Sequence, residues 1–357
     1  MLLGIAYFVY QIDYGEFRRS LSSINWSWAI GAELAFFISQ TLLATRWIVL
    51  LRVHKVYISL YQAVKLTYLG LFYNNIMPGA VGGDILKGWF ITYHSHKDLR
   101  VEAAVTVFVD RLIGLTGIIF VGALAGLIVG TRLQIPLAGY TIQVRWLIWA
   151  IFVAMLLAAL VFLSHRLRRL LMISHLLEKL PFASFLRKID QAIQLYRHHT
   201  PTIIIAFLIT AVIQGLSIVA VWILTQALHL DNITLVHCLL IMPIVWLISS
   251  AVPVPGGLGV MENLFIPFFS GALDPDGTMD PLSVTARVSA LALFNRLMIC
   301  VCSLPGALVP IFGGHLPKPT CGELIESACG EHVESACGEH VESDELEQAP
   351  DKQVEEL

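Results

Sequence analysis

Two stretches of this chain place proline, glycine and a carboxylate inside otherwise apolar sequence. The first is Asn74-Asn75-Ile76-Met77-Pro78-Gly79-Ala80-Val81-Gly82-Gly83-Asp84. The second is Pro253-Val254-Pro255-Gly256-Gly257-Leu258-Gly259-Val260-Met261-Glu262-Asn263. Proline removes a helical hydrogen bond, and glycine adopts backbone angles closed to other residues. Each stretch therefore breaks a helix. In hydrocarbon, the backbone groups so freed must be buried in protein or line a wet cavity.

A second motif follows each break. Asp110-Arg111-Leu112 comes 26 residues after Asp84, and Asn295-Arg296-Leu297 comes 33 residues after Glu262. The order of break, acid, long apolar gap and Asp/Asn-Arg-Leu thus occurs twice. Paired broken helices in the two halves of a membrane protein point to a binding site near mid-membrane.

An ionised side chain within a membrane segment costs about 2.5 kcal/mol or more unless paired or hydrated. Asp84, Asp110, Arg111, Glu262 and Arg296 are therefore expected to face an interior cavity, with Asn75 lining it or satisfying carbonyls at the break. Arginines can grip phosphate oxygens bidentately. Half-helix N-termini after Gly83 and Gly259 would offer N–H groups to an anion. Asp84 and Glu262 would hold a cationic headgroup or relay protons. Taken singly, each residue reads equally as a structural ion pair or a helix cap, and Asp84 directly after Gly83 as an N-cap.

The elements that position these residues follow from composition. The chain has 357 residues, 57% hydrophobic and only 14% charged, against about a quarter charged in soluble domains. Apolar stretches approach the roughly 20 residues that cross a bilayer core. Helices are expected at about 1–12, 26–51, 60–77, 102–130, 146–164, 202–229, 233–252 and 284–312. The expected fold is all-α: a polytopic membrane protein with two re-entrant or broken helices in an inverted repeat.

Charge sets the expected orientation. Residues 165–200 form a basic amphipathic stretch with seven Lys or Arg, placed on the cytoplasmic side. No Lys or Arg occurs from 198 to 286, and the acidic loop 271–283 is placed outside. About six full crossings result, with both termini inside and the breaks re-entrant. Arg18, Arg19, Arg132 and Arg145 then fall outside, against the rule.

Residues 1–313 form the expected membrane domain and 314–357 a disordered acidic tail. The tail repeats an octapeptide, CGELIESA from Cys321, CGEHVESA from Cys329 and CGEHVESD from Cys337. It lacks the paired spacing of zinc sites, so no metal is expected there. Residues 321–357 carry twelve acids and one Lys, leaving a basic body suited to anionic lipid or simply biased inward. The apolar start lacks a basic region and cleavage site, so it reads as a short or truncated first helix.

The stretches YNNIMPGAVGGDILKGWF, AAVTVFVDRLIGL and VPVPGGLGVMENLF together resemble the lysylphosphatidylglycerol synthase transmembrane-domain family. That module forms the membrane part of the multiple peptide resistance factor and also stands alone. The resemblance covers about residues 1–313. It implies a bacterial or archaeal cell-membrane protein, in some members translocating aminoacylated phospholipid. It places the characteristic residues on Pro78, Gly82, Gly83, Asp84, Asp110, Arg111, Gly257, Gly259 and Glu262. No soluble aminoacyl-transfer domain accompanies them here, so synthase activity is not carried over, and the octapeptide repeat lies outside the pattern.

Three functions compete: a lipid flippase, a secondary transporter of a small anion, and a membrane partner of a separate lipid-modifying enzyme. A lipid needs a lateral opening, a solute an aqueous path, and a partner neither. An enzyme is not expected, since HExxH, GxSxG, a Walker loop and catalytic Cys/His spacing are absent. His94, His96, His198 and His199 read as solvated loop residues. The expected partners are membrane lipids, anionic or aminoacylated, with no cofactor and no nucleic acid.

Overall fold

In the computed structural model the chain divides into two units, Met1–Lys318 and Pro319–Leu357. The structure describes residues 22–143 and 199–312, with gaps at 54–55, 78–81, 95–99, 130–133, 138–139, 253 and 255–256, plus isolated positions between 15–19 and 146–196. The expected helix at 1–12, most of 146–164, most of the basic stretch 165–200 and the tail lie outside the described residues. So do Pro78, Gly79, Pro255 and Gly256.

Eight long or medium helices order the described chain. They are α1 Trp26–Val53, α2 Leu60–Ile76, α3 Gly82–His94 and α4 Arg100–Val129, then α5 Thr200–Ala227, α6 Leu235–Ala251, α7 Val260–Leu273 and α8 Pro281–Phe312. Among the described residues four spans are long and apolar enough to cross a membrane, within α1, α4, α5 and α8. The all-helical expectation has one exception. Strands β1 Gln134–Leu137 and β2 Tyr140–Gln143 pair antiparallel, Leu137 opposite Tyr140.

The lengths repeat. Helices of 28, 17, 13 and 30 residues are followed by helices of 28, 17, 14 and 32. Within each set, the second and third helices are the two sides of a proline-glycine break. The start of α2 is fixed by a capping box, in which Ser59 and Gln62 exchange side-chain and backbone hydrogen bonds.

Helices α1 and α5 run antiparallel along their full length. The Asn25 N–H donates to the Ala227 carbonyl, the Ser217 hydroxyl to Ser39, Arg46 Nη1 to Thr210 and the Tyr196 hydroxyl to the Leu50 carbonyl. Partners fall from 227 to 196 as α1 climbs from 25 to 50. Small residues permit this approach: Ala32, Ser39 and Ala44 are buried on α1, and Ala206, Thr210, Ser217 and Ala220 on α5. The outward faces keep large apolar side chains exposed, Leu34 and Ile38 on α1 and Leu208 and Val212 on α5, as lipid contact requires.

The outer helices exchange partners between sets. Helix α2 packs on α8, and α6 packs on α4. A Cβ at Gly306 of α8 would collide with the Tyr68 carbonyl of α2, so that contact needs glycine. The largest apolar core among the described residues lies mainly in the second set, where Phe265 and Phe269 stack at 5.1 Å in one cluster with Val288 and Leu291.

Candidate functional site

The first break ends α2 at Ile76 and restarts the chain as α3 at Gly82. The two helices then touch backbone to backbone. A side chain at Gly83 would drive into the Gly70 carbonyl, so position 83 needs glycine for the close approach, and a Cβ at Gly70 would stand 3.3 Å from the Gly83 carbonyl oxygen. The Gly83 N–H is one of the donors a helix start leaves unpaired, and Asn74 Oδ1 accepts it at 2.7 Å.

The second break uses a different device for the same need. Gly259 precedes α7 with φ of 80°, a left-handed conformation that excludes most other residues. Its N–H donates to Glu262 Oε2 at 2.7 Å, and its carbonyl accepts from Asn263 Nδ2. The N–H groups of Gly83 and Gly259 therefore already have partners within the chain.

Each break acid is the third residue of its short helix, Asp84 in α3 and Glu262 in α7. Each meets the arginine of the long helix that follows. Arg111 Nε of α4 pairs with Asp84 Oδ2, and Arg296 Nε of α8 donates to Glu262 Oε1 at 2.6 Å. The second pair is buried, with side chains 9% and 7% exposed, whereas Arg111 is 40% exposed.

Adjacent residues in a helix point about 100° apart. Asp110 therefore leaves Arg111 to its own partner and turns to α1, where Arg46 Nε donates to it at 2.8 Å. Arg46 also donates to Thr210 of α5 at 3.1 Å, so one guanidinium ties three helices together. In the second set Asn295 takes the place of Asp110, and its amide sits 3.9 Å from the Met261 sulfur.

Asn75 donates to the Ser303 hydroxyl of α8 at 3.1 Å. The asparagines thus serve an amide N–H and a hydroxyl; Asn75 was expected either to line a cavity or to satisfy carbonyls at the break. A helix start exposes donors, so Asn74 presents oxygen; α8 approaches closely enough for Asn75 to reach it.

Sequence reasoning passed over Arg46 and Lys87. Both are buried, 3% and 6% exposed. The signal was present: each is a cation set among apolar residues of its helix, Arg46 a turn and a half before the helix-end Arg52. The Lys87 ammonium lies 5.4 Å from the centre of the Trp47 ring. Just outside the spanning helices, burial pushes the Tyr196 phenol above its ordinary pKa, with Asp110 adding to the shift.

Among the described residues no three His, Cys, Asp or Glu side chains are grouped to hold a metal ion. No curated protein matches the chain. The family model described as the lysylphosphatidylglycerol synthase TM region matches residues 1–279. Both breaks, Asp84, Asp110, Arg111 and Glu262 lie within that match, and α8 with Arg296 lies beyond it. On a match over most of its length, this chain is an integral membrane protein that belongs to the lysylphosphatidylglycerol synthase TM region family.

Proposed function

We propose that this protein translocates or binds a phospholipid, or a lipid-linked headgroup, in the cell membrane. One observation carries the reading. At both helix breaks, the acid at the third position of a short helix pairs with an arginine of the next long helix. A scaffold that needed only stability would not require the same acid–arginine pair at both breaks, one of them buried, since apolar packing serves as well.

The arrangement of the two sets supports an inverted repeat. Their first helices run antiparallel, and α2 on α8 mirrors α6 on α4. A two-fold axis across the helices gives that exchange, as in transporters built from inverted halves. The breaks are then re-entrant from opposite faces. The two pairs also differ in exposure, as expected when one side of a translocation path is open and the other closed.

The proposed partners are membrane lipids, anionic or aminoacylated, with a separate enzyme supplying any lipid modification. Aminoacyl transfer is not part of this reading, because the family match is to the membrane region. Translocation is tested in proteoliposomes by leaflet-specific headgroup labelling. The variant R111Q/R296Q is expected to lose headgroup exposure. Unchanged exposure in a stable, well-inserted double variant removes the proposal. Uptake of a soluble anion without lipid movement replaces it with a solute carrier.

A further inference from the structure

Three cations are buried in the described membrane core, Arg46, Lys87 and Arg296. Arg46 is held by Asp110 and Arg296 by Glu262. Lys87 has no carboxylate within ion-pair distance among the described residues. The charges close enough to act on it are Asp84, Asp110, Arg111 and Arg46. Those four already neutralise one another as two pairs. Lys87 is the surplus: when it is protonated, the cluster carries one net positive charge.

We propose that the Lys87 ammonium is the anchor for a phosphate-type anion in the first half of the protein. The inference rests on the lipid-handling reading and moves the anion contact from the two arginines, which carboxylates already hold, to this lysine. Three features support it. The Trp47 ring at 5.4 Å attracts a cation without neutralising it, so the charge stays available. The side chain runs against the Gly70 backbone, where an added Cβ would come within 2.9 Å of Lys87 Cε, so the glycine leaves it room. And the fold does not need a cation there. Lys87 stands three residues after Asp84, and three residues after Glu262 stands Phe265, fully buried and stacked on Phe269. One half packs an apolar ring where the other keeps an uncompensated charge. A buried ammonium is strongly disfavoured without an anion, and a phosphate oxygen supplies one.

The test uses the purified full chain in phosphatidylcholine nanodiscs, with inorganic phosphate titrated in one arm and phosphatidylglycerol content raised in the other. Thermal unfolding reports binding, since a ligand of the folded state raises Tm with concentration. The wild type is expected to gain Tm in at least one arm. K87M is expected to bind about tenfold more weakly or not at all, K87R to retain binding, and R52Q, exposed at the end of α1, to behave as wild type. A gain with phosphate alone identifies a free-anion site, and a gain confined to phosphatidylglycerol identifies a lipid headgroup. Should K87M not fold, K87Q takes its place. The proposal is overturned if the wild type gains nothing in either arm, if K87M gains as much as wild type, or if R52Q loses as much as K87M. Because the readout is binding, a chain that binds the anion through Lys87 but moves no lipid overturns only the translocation reading.

Discussion

Glu262 joins Arg296 across 34 residues of sequence, and with its second oxygen it also accepts the Gly259 N–H. One carboxylate therefore fixes both the start of α7 and its seat on α8.

Removing that carboxylate leaves a buried guanidinium without its counter-charge. E262A is expected to lose about 3 to 5 kcal/mol of stability, the range for breaking a buried pair from one side. D84A is expected to lose about 1 kcal/mol, because Arg111 is far more exposed. Chemical denaturation in mild detergent compares the two. Equal losses contradict the difference in burial.

Arg46 offers a cleaner double-mutant cycle. D110N alone copies the second half, where Asn295 occupies the corresponding place, but it strands Arg46. D110N and R46M are each expected to destabilise by about 3 kcal/mol, and together by clearly less than the sum. Additive losses would mean the two side chains do not interact.

The breaks demand glycine for different reasons. G83A pushes a methyl group into the Gly70 carbonyl and is expected to cost about 1 to 3 kcal/mol. G259A must hold a left-handed backbone and is expected to cost about 1 to 2 kcal/mol. Melting of each purified variant provides the check, and wild-type stability in G83A refutes the close approach.

The pairing of the first break with α8 can be trapped chemically. In a background lacking native cysteines, N75C/S303C is expected to cross-link under mild oxidation, since the native side chains hydrogen-bond at 3.1 Å. S39C/S217C is expected to cross-link likewise and reports the antiparallel run of α1 and α5. Gel mobility after oxidation reads both, and a failed S39C/S217C link would dismantle the proposed two-fold relation.

Much of this was legible in the sequence because membrane segments announce themselves. Each of the eight described helices contains or closely tracks an apolar stretch, or begins at a glycine-rich break. The duplicated order of break, acid and arginine was readable because proline, glycine and charge are rare there. Partner choice was not. Asp110 and Arg111 are neighbours in the chain, yet helical geometry sends them to α1 and α3. Arg46 and Lys87 went unnoticed because neither belongs to a repeated motif. The β1–β2 hairpin, four residues a strand, was too short to stand out beside the long apolar helices.

The row of hydrogen bonds joining α1 to α5 has a mechanical consequence. The two bonds between the helices, Ser217 to Ser39 and Arg46 to Thr210, and the two from residues just before them, Asn25 to Ala227 and Tyr196 to Leu50, would all rupture if the two rods slid past each other by a turn. That seam is a keel. On the proposed translocation reading, any exchange of access between the two faces would fall to the helices packed beside it, the pairs α2–α3 and α6–α7 among them.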